Sequence, residues 1–319
     1  MSKVSVIVPI YNVEKYIERS LHSLFVQTLD DLEYVFVDDA STDKSILILS
    51  DVLNLYPKRR SQVKIIHHKQ NLGVTAARTS GIKAATGEYI ILCDPDDFID
   101  PEMYEKLYNQ AIKTKSDITA CYHLLNNRPV IYKYYKTPQK CLRNLYSKKS
   151  HYVHIWSKLV KSNIIKTYNI LPESGINFEE DLNFTIKLFH YAQTITLVRE
   201  PLYHYCIREN SLSTTLYKKF DTVRLKSLDA NLSFLRKQGK GKYKKLENYL
   251  IYKIKFSFPE IFKNEKDWFN WHKECHKNII NFDEEPIKTR IILYVALKNY
   301  KIFKLFKKFI PSLNHIFIQ

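Results

Sequence analysis

Three carboxylates crowd into the four positions Asp94-Pro95-Asp96-Asp97, directly after an apolar run. Pro95 restricts Asp94 to an extended backbone, and like charges packed this closely call for something to offset them. Mg²⁺ and Mn²⁺ take carboxylate oxygens and keep substrate phosphates among their other ligands, so the cluster suits a metal held against a phosphate-bearing substrate. A plainer use is also open, in which Asp96 or Asp97 caps a helix starting near Pro101. Asp38 and Asp39 follow another apolar run, where they could bind a hydroxyl or a base N–H, or form an Asx turn with Ser41. Tyr11, two residues after Pro9, offers a ring to stack on a base or to pack on neighbouring loops. Glu179, Glu180 and Asp181 precede a helical pattern, and negative charge there favours the positive end of a helix.

These residues need elements to position them. Lys3 to Ile10 reads as a strand, and Tyr16 to Phe25 as a helix with Ile17, Leu21, Leu24 and Phe25 on one face. The alternation continues with strands at Glu33 to Val37, Val63 to His67 and Tyr89 to Cys93, and helices at Asp43 to Leu55 and Val74 to Ala85. Strands apolar on both faces alternating with helices predict a mostly parallel sheet with flanking helices. Ligands of such open sheets bind at the carboxyl ends of the strands, so Tyr11-Asn12, Asp38 to Asp43, Lys69 to Gly73 and Asp94 to Asp97 are expected on one rim. Beyond about residue 120 the alternation fades, and 126–150 reads as loop. A helix is expected over Asp181 to Phe189. Looser helical periodicity runs from Phe220 to Phe262, with a basic turn at Gly239 and Gly241.

The bulk numbers narrow the classes. The chain has 319 residues, 45% hydrophobic and 26% charged, enough for one large or two ordinary domains. No apolar run reaches the roughly 18 to 20 residues of a membrane span, and Val4 to Ile10 lacks the flanks of a signal peptide, so a cytoplasmic protein is expected. Five scattered cysteines read as reduced, structural thiols. The net charge of +17 divides into −3 over residues 1–120 and +20 over the remainder. That surface admits nucleic acid, anionic lipid or an acidic substrate. The competing class is therefore a basic nucleic-acid- or anionic-membrane-binding protein without catalytic activity. Dispersed lysines without a recognition motif argue against nucleic acid. Lys301 to Ile310 predicts an amphipathic basic helix, with Ile302, Phe306, Phe309 and Ile310 on one side, and gives possible peripheral contact with the inner face of the membrane. The absence of a Walker loop or a GxGxxG motif argues against P-loop nucleotidases and dinucleotide-dependent dehydrogenases.

Taken together, Ser5-Val-Ile-Val-Pro9-Ile-Tyr11-Asn12, Val37-Asp38-Asp39-Ala-Ser41-Thr42-Asp43, Asn71-Leu-Gly73-Val-Thr-Ala76-Ala77-Arg78, and Gly87-Glu88-Tyr89 leading to Asp94-Pro95-Asp96-Asp97 resemble the family 2 glycosyltransferases of GT-A (Rossmann-like) fold. The resemblance resumes at Trp156-Ser-Lys158-Leu, Glu180-Asp181-Leu-Asn-Phe184 and Leu202-Tyr203 to Arg208 and Ser211. It implies an inverting enzyme that uses Mn²⁺ or Mg²⁺ to move a hexose or N-acetylhexosamine from a UDP-sugar to a hydroxyl of a glycan or lipid-linked oligosaccharide. Bacterial capsule, O-antigen or exopolysaccharide synthesis is the implied setting. By the same resemblance Pro9 and Tyr11 line the base pocket, Asp39 accepts a base N–H, and Asn71 and Arg78 lie near the nucleotide. Asp94 touches the ribose or donor sugar, Asp96 binds the metal, and Asp181 is the base, with Glu180 orienting the acceptor or raising the Asp181 pKa. Arg208 and Ser211 stabilise the leaving diphosphate. Trp156, Lys158 and His204 fall on the acceptor side, where a core position for the Trp and a packing role for the His are equally open. Ala40 stands where the family usually has Gly, and Pro95 where Ser is commoner. The expected organisation is a catalytic domain over 1–215, divided into a nucleotide-sugar half (1–120) and an acceptor half (121–215), then a basic, mainly helical region over 216–319.

Overall fold

The computed structural model describes residues 2–145, 153–176, 179–207, 221–257, 261–281 and 287–306. The chain divides into two compact units, one of residues 1–142 and 150–215 and one of residues 143–149 and 216–319. In the first unit, β1 (Val4–Ile10), α1 (Ile17–Phe25), β2 (Leu32–Asp38), α2 (Ser45–Leu55), β3 (Val63–His67), α3 (Val74–Ala84) and β4 (Tyr89–Leu92) alternate as expected. After them come β5 (Phe98–Ile99), α4 (Met103–Thr114), β6 (Ile118–Leu125), β7 (Arg128–Val130), α5 (Pro138–Arg143), β8 (Lys158–Lys161), α6 (Ser162–Thr167), α7 (Glu180–Tyr191) and β9 (Ile195–Tyr205).

The nine strands form one sheet in the order β3-β2-β1-β4-β8-β6-β9-β5, with β7 paired to β6. The run β3-β2-β1-β4 is parallel. Beyond it the sheet is mixed, because β8 lies antiparallel to both β4 and β6. β1 is fully buried. Val4, Val6, Val8 and Ile10 face a core shared with Leu21, Leu24, Leu49 and Leu107 of α1, α2 and α4. Ile7, on the opposite face, meets α3 at Gly81, where any Cβ would collide with the Ile7 side chain. That close approach sets how α3 lies on the sheet, and with it the position of Arg78 three residues earlier.

Pro9 sits inside a central strand, which ordinarily loses a ladder bond. Here the loss is avoided. The Ile7 carbonyl accepts from Cys93 N–H at 3.0 Å, and Pro9, two residues on, points to the same side, past the end of β4. From that level β1 and β4 part, with β2 on the far side of β1, so a crevice opens where strand order reverses.

The segment 126–150 is not a plain loop, since it contains β7 and α5. β6, β8 and β9 also lie beyond the region of visible alternation. β8 has only four residues, and the pairing of β6 with β9 shifts register around Tyr122.

The second unit contains α8 (Asp221–Gly239), α9 (Lys244–Ser257), α10 (Glu265–Asn270), a 3-10 helix (Lys273–Asn281), α11 (Ile287–Ala296) and α12 (Tyr300–Phe306). Its core gathers Tyr252, Trp268, Phe269, Leu293, Leu297 and Phe303. Buried Lys255 donates to the carbonyls of Phe269 (3.1 Å) and Trp271 (2.6 Å) and lies 2.8 Å from His276 Nε2. Burial pulls its pKa down to about 7. The expected helix Lys301 to Ile310 is α12 as far as Phe306, within which Phe303 is fully buried and Ile302 is partly exposed. Residues 307–310 lie outside the described residues. No helix among the described residues is long and apolar enough to cross a membrane.

Candidate active site

Arg78 is the electrostatic centre of the crevice. Its Nη2 donates to Asp94 Oδ1 at 2.8 Å, and its Nη1 to Glu180 Oε1 at 2.7 Å and Asp181 Oδ1 at 2.9 Å. One guanidinium thus joins the turn after β4 to the start of α7, across more than 80 residues of chain. Arg78 is buried, and the three carboxylates raise its pKa against the opposing effect of desolvation. Burial pushes Asp181 up to about 7, with Arg78 resisting and Glu180 and Asp94 adding repulsion. Asp181 therefore lies where a carboxylate can both lose and take a proton near neutral pH. Arg78 engages only its Oδ1. Lys158 is buried nearby, donates to the His154 carbonyl, and has a pKa lowered to about 8 by burial.

The acidic turn is more divided than its sequence suggests. Asp97 is buried. Its Oδ2 accepts from Tyr203 Oη at 2.6 Å and its Oδ1 from Cys206 N–H at 2.8 Å. Burial, then repulsion from Asp94 and Asp96, raises its pKa to about 8. Asp97 does not cap the next helix as expected: β5 intervenes, α4 begins at Met103, and Glu102 holds the capping position without a side-chain bond. Asp97 instead ties the turn to the end of β9. Tyr203 also accepts from Asp94 N–H at 3.3 Å, fixing both ends of the turn.

At the end of β2, Asp39 is buried, and both its oxygens hold the loop after β3. Oδ1 accepts from Leu72 N–H (2.9 Å) and pairs with His68 Nδ1 (2.7 Å), while Oδ2 accepts from Gly73 N–H (2.7 Å). His68 Nε2 reaches Ser80 Oγ of α3 at 2.8 Å. Gly73 has φ of +89° at the start of α3, a backbone that favours glycine. Asn71 Oδ1 accepts from the same Gly73 N–H at 3.1 Å. Asp38 forms the Asx turn, accepting from Ser41 N–H at 2.9 Å. Burial works to raise its pKa, but hydrogen bonds from His67 and Ser41 outweigh that and lower it. Tyr11 stands 46% exposed at the mouth of the crevice. Neither the His68 link nor the Arg78 triple contact carries a local sequence signal.

Trp156 is 2% exposed and stacks on Tyr203 and His154 at centroid distances of 4.2 and 4.8 Å. Of its two open readings, the core position is the one observed, and the ring offered to a sugar is covered. His204 pairs through Nε2 with Asp100 Oδ1 at 2.7 Å and stacks on Phe98 at 4.1 Å. It borders a cavity of about 910 Å³ beside Asp96, lined also by Arg19, Phe98, Leu124 and Tyr205. Arg208 and Ser211 lie outside the described residues.

Among the described residues, no three His, Cys, Asp or Glu groups converge to hold a metal by themselves. A divalent ion shared with substrate phosphates needs only one or two protein carboxylates. Asp96, at the mouth of the cavity, fits that requirement, as does the oxygen of Asp94 that Arg78 leaves.

A parallel half-sheet with a crevice at its reversal point, an acidic turn on that crevice and a second carboxylate brought to it by one Arg define a GT-A transferase layout. The chain belongs to glycosyl transferase family 2, whose model matches residues 5–203, and it is a glycosyltransferase. EpsJ of Bacillus subtilis, an uncharacterized glycosyltransferase, is 31% identical over 94% of this chain and 89% of its own length. A poly(ribitol-phosphate) beta-glucosyltransferase of Bacillus spizizenii is 33% identical over 65% of this chain and 33% of its own length. In structure, residues 1–349 of S. aureus TarS in complex with UDP-GlcNAc align with a TM-score of 0.67 at 22% identity, covering 98% of this chain and 90% of that one. That likeness confirms the fold.

Proposed function

We propose that the enzyme is an inverting, metal-assisted transferase that moves a hexose or N-acetylhexosamine from a UDP-sugar to a hydroxyl of a bacterial surface polysaccharide or its lipid-linked precursor. The observation that carries this reading is the Arg78 hub, which sets the donor-side carboxylate Asp94 and the acceptor-side carboxylate Asp181 on one guanidinium. In an inverting displacement the acceptor hydroxyl attacks opposite the leaving diphosphate and must give up its proton. Asp181 Oδ2 takes that proton while Arg78 holds Oδ1. Asp39 shapes the base pocket by fixing the 71–73 loop, Tyr11 stacks on the base, and Asp94 contacts the donor. A metal held by Asp96 would supply positive charge to the diphosphate, with Arg208 and Ser211 assigned to the same anion. The UDP donor is supported by the UDP-GlcNAc complex of the fold neighbour, and a polymer hydroxyl as acceptor by the name of the Bacillus spizizenii relative, a poly(ribitol-phosphate) beta-glucosyltransferase.

Purified protein with Mn²⁺ or Mg²⁺ is expected to release UDP from at least one UDP-sugar by transfer or slow hydrolysis. Saturating that donor at 100 times its Kd should stabilise the protein by roughly 2.7 kcal/mol in a thermal shift. Absence of both transfer and hydrolysis across a panel of nucleotide sugars would sink the reading.

Asp96→Asn is expected to raise the Mn²⁺ concentration for half-maximal turnover by about tenfold or more, since removing one of few carboxylate ligands weakens a phosphate-shared site. A metal titration unchanged by the substitution would take Asp96 out of the ligand set.

A further inference from the structure

Helix α11 turns the wrong residues outward for an ordinary surface helix. Ile287, Ile291 and Val295 recur every fourth position and are 54%, 50% and 40% exposed, while Leu293, Ala296 and Leu297 fill the core behind them. Polar residues normally occupy the outer face of such a helix. Exposed Lys288 lies beside this stripe, and exposed Lys298 continues it, with its Nζ 4.9 Å from the Tyr294 ring centroid. On α12, Leu305 is 67% exposed between the outward-facing Lys301 and Lys304 and the end of the helix. Residues 287–306 contain five Lys or Arg and no Asp or Glu. The wider segment 216–319 holds 23 basic and 10 acidic residues.

We infer that the outer face of α11, extended by Leu305 of α12, docks on an anionic lipid membrane. An exposed apolar stripe rimmed by lysines is what lies flat at a bilayer interface, the aliphatic groups entering the acyl boundary and the cations meeting headgroup phosphates. A second copy of the chain is a poor occupant, because a symmetric pairing would set the lysines of residues 287–306, a stretch with no acid of its own, against one another. Nucleic acid would satisfy the lysines but leave the apolar stripe unused. The sequence alone pointed to the helix at 301–310. Within it Phe303 faces the core and Leu305 faces outward, and α11 adds the longer exposed apolar stripe.

The test is flotation of the full-length protein with vesicles of phosphatidylglycerol and phosphatidylcholine, compared with phosphatidylcholine alone. Binding is expected only to the anionic vesicles, and to weaken with added salt. The double substitution Ile291→Glu with Val295→Glu should lower partitioning by about tenfold or more, because it puts two charges into the apolar stripe. Lys288→Glu with Lys298→Glu should lower it at least about 25-fold, at roughly fivefold per lysine near the surface. All four residues are outward-facing or partly so, and UDP-sugar binding should be unchanged in both variants. If the glutamate variant of α11 unfolds, the lysine variant carries the test. Equal flotation with neutral and anionic vesicles, or full binding by a folded variant of either kind, overturns the inference. A concentration-dependent dimer that the α11 variant abolishes would assign the face to self-association and overturn it too.

Discussion

Asp181→Asn is expected to lose about 10²- to 10⁴-fold in transfer rate, the range a positioned general base contributes, while binding of the UDP-sugar stays within a few-fold of wild type. The substitution is mild structurally, since the Asn Oδ1 still accepts from Arg78 where Asp181 Oδ1 now does. What disappears is the oxygen proposed to take the proton. The pH dependence gives the same residue an independent signature. Burial raises Asp181 from 3.8 to about 7, so the base is ionised above that value. Below it, the wild-type rate should fall about tenfold per pH unit, and that limb should be missing from the residual activity of the Asn enzyme. Stability runs the other way. The folded protein retains a proton on Asp181 that the unfolded chain releases between 3.8 and about 7, so this group's contribution falls as pH rises through that window. Asp181→Asn should therefore be no less stable than wild type at pH 8. Loss of donor binding, or an unchanged acid limb, would move Asp181 out of the base role.

The parallel half of the sheet was legible because its signals are local. β1, β2 and β4 are short apolar runs closed by polar turns, and α1 places Ile17, Leu21, Leu24 and Phe25 on a single buried face. The rest of the sheet depends on partners far away in sequence. β8 is Lys-Leu-Val-Lys, and it becomes a strand only by pairing with Tyr89 on one side and Ile118 on the other. β9 is interrupted by Arg199, Glu200 and Pro201, opposite the register shift in β6. Nothing in either segment announces a strand by itself. The site shows the same division. Asp94, Asp96 and Asp181 were visible as acids after a strand or before a helix. The sharing of one Arg by Asp94, Glu180 and Asp181 was not, because it depends on Gly81 letting α3 lie close against Ile7. Asp97 reads as a helix cap in sequence because a two-residue strand is too short to show, yet that strand moves the helix start away and leaves Asp97 to Tyr203.

Arg78→Met should have the largest effect on stability in the catalytic unit. Methionine keeps much of the side-chain volume but leaves Asp94, Glu180 and Asp181 facing one another without a shared cation. Their side chains are only 22%, 16% and 20% exposed, so water screens them incompletely. Removing one partner of such a buried network costs about 3–5 kcal/mol, which corresponds to a fall on the order of 10 °C in the melting temperature of a unit this size. The loss should shrink as pH is lowered from 7 to 5, because protonation relieves repulsion that Arg78 no longer offsets. Adding Glu180→Gln to Arg78→Met should recover part of it, since the two positions interact directly. Arg78→Lys should fall between the two, a single ammonium being unable to present the two-nitrogen fork that spans Asp94 and Asp181. A melting temperature within about 2 °C of wild type would show that the hub does not hold these elements together. Catalysis supplies the second readout. At temperatures where Arg78→Met is still folded, its transfer rate should remain low, because a base displaced by about 1 Å loses on the order of 100-fold in rate. A folded Arg78→Met enzyme with wild-type kcat would mean that α7 is positioned by its own packing, and that the guanidinium serves only to neutralise charge.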